Sequence, residues 1–110
     1  MKAIIDGKRY DTDTAELIAS DCSVGMSKSD FRWWEEKLYK TKKGTWFIAG
    51  EGGALTKYAV QVGSNASGAG EEIIPLSEEE VRKWLEKSEN YAVFEKWFSE
   101  CIGCIRGHNE

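Results

Sequence analysis

Three cysteines and one histidine carry the most reactive side chains in this sequence of 110 residues. Cys101, Cys104 and His108 follow one another closely, and thiolate and imidazole groups together suit tetrahedral zinc. A fourth ligand, such as Cys22, would have to come from elsewhere in the chain. The same cysteines could form a disulfide, join two chains or act in redox chemistry, although the strand-to-helix setting that lowers a thiol pKa is missing. Since Cys101 also falls on an apolar helical stripe, the pattern favours a small buried hydrophobe, and we predict neither metal nor cofactor.

A glycine-rich segment, residues 50–53, is the second candidate site, and Thr56 and Lys57 follow it. Backbone amides in such loops can cradle anions. The phosphate-binding P-loop, however, ends in Gly-Lys-Ser/Thr at a fixed spacing, which this segment lacks. We therefore interpret it as a tight connection beside a hairpin.

A basic turn made of Lys40, Lys42 and Lys43 is the third candidate. Tryptophans precede and follow it, and basic groups interleaved with aromatic rings can bind single-stranded nucleic acid by stacking. The pattern favours a solvated turn whose lysines protect an edge hairpin from aggregation. Nucleic-acid binding at this turn stays open as the alternative.

Carboxylates are plentiful, but they occur in runs that we expect to be solvated: Glu35-Glu36, Glu71-Glu72 and 78–80. No Ser, His and Asp set is assembled, and no Cys and His pair lies in a segment expected to be folded. We therefore predict that the chain is not an enzyme.

Composition sets the frame in which these residues must be placed. A chain of this length and apolar content predicts a single domain, residues 1–110, in which 102–110 form a frayed tail. The net charge of −4 argues against a general nucleic-acid binder and suits a basic partner surface. We expect a cytoplasmic protein, because we see no signal-peptide core and no membrane span, and because three cysteines do not suit a secreted disulfide scaffold.

The predicted elements begin with a hairpin over 2–10, which turns at Asp6-Gly7. Residues 17–19 are too few to separate a helix end from a strand. Two aromatic-rich strands within 31–48 flank the basic turn, with a helix over 31–39 as the competing interpretation. A short helix or strand over 55–62 comes next.

Residues 63–70 predict a mobile loop, and a short strand at Ile73-Ile74 is expected to stop at Pro75. Ser77 and Glu80 have the spacing of a helix capping box. A second helix is expected from about 89 to 102, with a stop at Gly103.

These elements predict an α+β fold, with an antiparallel sheet of about four or five strands and two C-terminal helices packed on it. The predicted core comprises Ile4, Leu38, Trp46, Ile48, Ile74, Trp84, Leu85, Phe94, Trp97 and Phe98.

Four stretches of the sequence carry a family resemblance that covers roughly residues 2–98. They read IIDGKRYDT at 4–12, EKLYKTKKGTWF at 36–47, GEGG with TKYA within 50–59, and IPLSEEE with a tryptophan within 74–84. Together they resemble a family of small proteins from phages, plasmids and conjugative elements of Firmicute bacteria, some of whose neighbours are anti-CRISPR proteins. The Cys-x-x-Cys stretch lies outside the resemblance.

The resemblance implies an inhibitor that binds a CRISPR effector protein or ribonucleoprotein in the bacterial cytoplasm and performs no catalysis. A negative surface can occupy a basic nucleic-acid channel, which makes exposed glutamates the contact candidates. The residues singled out for partner binding are Glu35, Glu36, Glu71, Glu72, Lys40, Lys42 and Lys43. The sequence leaves three alternatives open: a nucleic-acid or nucleoprotein-binding module of a mobile element, a small hydrolase or nuclease, and a self-associating protein, which includes a homodimer.

Overall fold

The computed structural model describes residues 1–64 and 66–106, and the side-chain surroundings of the described residues up to 98. The chain forms two compact units, Met1–Leu76 and Ser77–Glu110. The first holds the strands and the second the two helices, so the predicted α+β class is confirmed. None of the described helices is both long enough and apolar enough to cross a membrane.

A hairpin opens the first unit, with β1 at Lys2–Ile5 and β2 at Lys8–Asp11. Asp6 and Gly7 both have positive φ, 53° and 77°, which a two-residue hairpin turn of this hand requires. The predicted Asp-Gly hairpin is therefore confirmed.

The central sheet is built from β3 Glu16–Cys22, β4 Trp34–Lys40, β5 Trp46–Gly52 and β8 Gly70–Leu76. These four antiparallel strands lie in the order β3-β4-β5-β8. The strands predicted around the basic turn are β4 and β5, and the undecided segment 17–19 is a strand.

Residues 63–70, predicted to be a mobile loop, instead hold most of a short hairpin. Its strands are β6 Val60–Gly63 and β7 Ala66–Gly68. Strand β8 also continues through Pro75, where the sequence predicts a stop, and Pro75 pairs with Phe47. Proline is tolerated there because β8 is an edge strand, whose outer side needs no ladder N–H.

One face of the central sheet packs against the β1–β2 hairpin. Its buried cluster contains Tyr10, Phe47, Ala49 and Ile73. The Tyr10 ring meets Phe47 edge-on at 5.4 Å, and Tyr39 stacks on Phe47 at 5.2 Å. These contacts fix the hairpin on the sheet, because paired aromatic rings add to the free energy of apolar burial.

The predicted core is correct for Leu38, Trp46 and Ile48 but wrong for Ile4, which is 74% exposed. Side chains alternate along a strand, so the hairpin turns Ala3 and Ile5 towards the cluster instead. Ile73 is buried in this cluster, whereas the predicted Ile74 lies on the opposite face, in register with the buried Ile48, and is half-buried at the edge of the sheet.

The second unit begins with α1, Glu78–Lys87, at the predicted capping box. Ser77 Oγ accepts the Glu80 N–H at 3.2 Å, and Glu80 Oε1 accepts the Ser77 N–H at 2.8 Å. Helix α2 spans Tyr91–Arg106, past the predicted stop at Gly103.

Arg82 of α1 lies over the Phe98 ring at 5.5 Å, so the two helices pack on each other. Of the predicted helical core, Leu85 and Phe98 are buried. The remaining members, Trp84, Phe94 and Trp97, are half-buried.

Candidate functional site

Glu36 is a buried carboxylate on β4, with only 5% of its surface exposed. The Tyr58 hydroxyl donates to Glu36 Oε2 at 2.6 Å, and Lys57 Nζ lies 2.8 Å from the same oxygen. We call these three residues the tyrosine clamp. The prediction that both glutamates of the 35–36 run are solvated is wrong for Glu36, and a buried side chain of this kind is not a partner contact.

Burial, and then the hydrogen bond to Glu36, raise the pKa of the Tyr58 hydroxyl far above its ordinary value. The phenol therefore stays protonated and acts as a donor, not as a base or nucleophile. The clamp is a structural device that holds the segment after β5 against the sheet.

The glycines of 50–53 allow side chains of the segment after β5 to pack directly on the backbone of that strand. A Cβ at Gly50 would overlap the Tyr58 ring, and one at Gly52 would overlap the Thr56 side chain. The Thr56 hydroxyl donates to the Gly53 carbonyl at 2.8 Å. The prediction that 50–53 form a tight connection beside the hairpin is wrong for residues 50–52, which belong to strand β5 and pair with β4 and β8. Only Gly53 lies beyond the strand.

Three glutamates stand side by side on the sheet face that carries Phe47. Glu35 on β4 pairs in register with Glu51 on β5, which pairs with Glu71 on β8. We call Glu35, Glu51 and Glu71 the acidic row. Side chains paired in this way share a face and have Cβ atoms about 5 Å apart, and like charges at that spacing repel.

An exposed apolar pair lies at the same end of the strands. Phe31 is 67% exposed and Leu55 is 69% exposed. Their backbones are joined, because the Leu55 N–H donates to the Phe31 carbonyl at 2.8 Å. The Gly53 N–H likewise donates to the Trp33 carbonyl at 2.8 Å, which ties this loop to the start of β4.

A groove of about 620 Å³ lies at the other end of the strands, between the β1–β2 turn and the β4–β5 turn. Lys8, Arg9, Lys42 and Lys43 supply its positive charge. We call it the basic groove. Arg9 pairs with Asp11, which also lines the groove, at 3.0 Å. Among the ion pairs of the described residues, none engages Lys8, Lys42 or Lys43.

The three lysines of the predicted basic turn have different surroundings. Lys42 and Lys43 line the groove, whereas Lys40 lies 5.0 Å from the Trp46 ring centroid. Trp46 is 4% exposed, so it has no free ring face on which a base could stack. The interpretation that the turn protects an edge hairpin is wrong, because β4 and β5 are the two central strands.

The other predicted site residues are either exposed or lie outside the described part of the chain. Glu72 is exposed and pairs with Gly50, on the opposite sheet face from Glu71. Cys22 is a free, exposed thiol on β3. The side chains of Cys101 and Cys104, and the whole of His108, lie outside the described part of the chain. Within that part, no group of acidic, histidine or cysteine residues is arranged to hold a metal ion.

Sequence reasoning missed Glu51, Lys8, Arg9 and the role of Tyr58. The basic pair directly after the Asp6-Gly7 turn was a visible signal, but nothing in the sequence placed it beside the second turn. Compared with known proteins, the chain matches no family model, no curated protein and no solved structure.

Proposed function

We propose that this protein is an anti-CRISPR inhibitor that binds a CRISPR effector directly in the bacterial cytoplasm and performs no catalysis. The observation that carries the proposal is the acidic row, Glu35, Glu51 and Glu71, held in register across three strands. The family resemblance supplies the class of partner.

Neighbouring carboxylates on one sheet face repel each other, and Lys37 and Met1, which line one pocket with Glu35 and Glu51, offset part of that repulsion. Lys28 lies 3.8 Å from Glu51, but both side chains are well exposed, and such surface pairs contribute at most about 1 kcal/mol. We expect the acidic row to serve binding, because it concentrates three carboxylates in register on one sheet face. Effectors hold their guide–target duplex in a positively charged channel, and a complementary negative surface speeds and orients association with such a channel.

The exposed pair of Phe31 and Leu55 lies at the same end of the strands as the acidic row and offers apolar contact area there. A typical interface has a few well-packed apolar anchors surrounded by polar or charged groups. Glu51 lies two residues before Gly53, whose N–H donates to the Trp33 carbonyl. The acidic row and the exposed apolar pair therefore lie at the same end of the sheet. We expect Phe31 and Leu55 to bury against the effector while the glutamates meet its basic groups.

The test is capture of the partner from cells that carry active CRISPR systems. Tagged protein is purified and the bound fraction identified by mass spectrometry. A stoichiometric effector protein supports the proposal. Recovery of nucleic acid without an effector, or of no partner at all, would refute the proposed function.

A matched pair of variants locates the surface. Glu35→Gln, Glu51→Gln and Glu71→Gln together remove three negative charges from the row and should reduce effector recovery and restore plasmid interference. Three exposed residues of α1 provide the control with the same charge change, Glu78→Gln, Glu79→Gln and Glu86→Gln. If both variants lose effector recovery equally, the effect comes from overall charge and not from the acidic row.

A further inference from the structure

The basic groove is separate from the surface proposed to bind an effector. Four stretches of the first unit supply its lining: 7–11, Thr14, 41–43 and Thr45. At about 620 Å³ it falls within the range of pockets that hold small ligands the size of a nucleotide. Its residues take no part in the acidic row or in the exposed apolar pair.

The walls of the groove are held in place by the fold. On one side, Tyr10 is 4% exposed and its ring packs on Phe47. On the other side, the Thr41 N–H donates to the Thr45 carbonyl at 2.8 Å, and the Thr45 N–H donates to Thr41 Oγ1 at 3.0 Å. A ligand would therefore meet a groove that is already shaped, with little ordering cost.

The charge of the groove is unbalanced in favour of cations. Arg9 is neutralised by Asp11, which also accepts the Asp13 N–H at 3.0 Å. That amide, and then the guanidinium, hold the pKa of the Asp11 carboxyl below its ordinary value, so Asp11 stays ionised and occupied by Arg9. Lys8, Lys42 and Lys43 then supply a net charge of about +3, since no described carboxylate forms an ion pair with them.

Neither edge protection nor base stacking accounts for these lysines. They do not protect an edge, because β4 and β5 are central strands. They do not serve base stacking through Trp46, because that ring is buried. What the groove offers is ammonium groups beside threonine hydroxyls, the donors that suit phosphate oxygens.

We propose that the basic groove binds phosphate groups, carried either by a nucleic-acid strand or by a free nucleotide. The lysines contact the phosphate oxygens, and the hydroxyls of Thr41 and Thr45 donate to them. The Thr14 hydroxyl donates to the Asp11 carbonyl at 3.4 Å. Recognition is independent of base sequence, because the contacts are to phosphate and the aromatic rings nearest the groove are packed in the core.

The test uses the purified full chain and three probes: a 12-nucleotide single-stranded oligonucleotide, ATP and inorganic phosphate. Fluorescence anisotropy follows the oligonucleotide, and amide chemical shifts at Gly7 and Thr45 follow all three. Three lysine contacts predict that log K falls with log salt with a slope of about −2.1 for a single strand. Lys42→Gln with Lys43→Gln should bring the slope to about −0.7.

Lys83→Gln with Lys87→Gln is the matched control, because it removes the same charge from residues that do not line the groove. Oligonucleotide binding with the predicted slopes supports the groove and identifies a nucleic-acid strand as the source of phosphate. Saturable shifts with ATP or inorganic phosphate alone support it with a small phosphorylated ligand.

The proposal is overturned if no probe shifts the groove amides at moderate salt. It is equally overturned if the control variant weakens binding as much as the groove variant, since the effect would then come from overall charge. Circular dichroism of all variants establishes that each is folded, which the exposed position of these lysines predicts. Because none of the altered residues belongs to the acidic row, failure here leaves the proposed function standing, and the converse also holds.

Discussion

Replacing Tyr58 by phenylalanine removes one hydroxyl group from the tyrosine clamp and leaves the ring over Gly50. Glu36 is 5% exposed and loses a donor that lay 2.6 Å from its carboxylate. A hydrogen bond to a charged group contributes about 1.5–3 kcal/mol, and an under-satisfied buried group adds its own desolvation cost. Lys57, at 2.8 Å, still pairs with the carboxylate. We therefore expect the free energy of unfolding to fall by about 2 kcal/mol.

Urea denaturation followed by tryptophan fluorescence and circular dichroism measures this loss. With a slope of about 2 kcal/mol per molar urea, the midpoint should fall by about 1 M while the slope stays constant. Tyr91→Phe provides the control, because Tyr91 is 58% exposed and a surface change of this kind stays within about 0.5 kcal/mol.

A double-mutant cycle with Glu36→Gln isolates the contact between the two side chains. Glu36→Gln should cost less in the Tyr58→Phe background than in the native chain, because the buried charge there has already lost a donor, with a coupling energy of about 1 kcal/mol. A Tyr58→Phe midpoint equal to that of Tyr91→Phe, together with zero coupling, would refute the assignment of Tyr58 as a donor that stabilises Glu36.

Three further predictions concern other parts of the fold. Gly50→Ala should lower the free energy of unfolding by about 1–3 kcal/mol, because its methyl group displaces the Tyr58 ring; Gly63→Ala, where the nearest atom is 3.9 Å away, should be tolerated, as urea titrations would reveal. Ser77→Ala removes the acceptor of the α1 capping box and should cost about 0.5–2 kcal/mol, read as lost stability and reduced helical circular dichroism; an unchanged transition would contradict the cap. Asp11→Asn should flatten acid unfolding, because a backbone amide and a guanidinium lower the Asp11 pKa. The stabilisation from the ionised Asp11 is present above the pKa of the unfolded carboxyl, near 3.8, and is lost as pH falls through the lower pKa of the folded state. An acid transition as steep in the variant as in the native chain would contradict this role of Asp11.

Local signals predicted the local structure of this chain. The Asp6-Gly7 turn and the Ser77/Glu80 capping box are each encoded within a few residues, and both are present as expected. The errors in the predicted core have two origins. Ile4 points away from the cluster on which its neighbours Ala3 and Ile5 pack, because a shift of one residue reverses the face of a strand. Ile74 shares a face with the buried Ile48, but it lies on the edge strand β8 and is only half-buried.

The candidate sites depend on contacts between residues far apart in the chain. Tyr58 lies 22 residues from Glu36, and no pattern in the sequence joins the two. The basic groove unites Lys8 with Lys42 across two hairpins, which the residues of the basic turn alone could not show. The sequence did not single out Glu51, because no other glutamate is adjacent to it. Only the strand register places it between Glu35 and Glu71.

The strands that carry these sites also separate charge along their length. Glu35 lies near the start of β4 and Lys42 just beyond its end, so the acidic row and the basic groove are about 20 Å apart at the usual rise per residue. Such a separation contributes a component along the strands to the dipole moment of the first unit, although the whole chain carries a net charge of only −4. In the field of a charged partner, this dipole exerts a torque that turns the acidic end towards cations and the basic end towards phosphates before contact. Orientation during the encounter should therefore weaken as salt shortens the screening length below about 10 Å, even where the final contacts are unchanged.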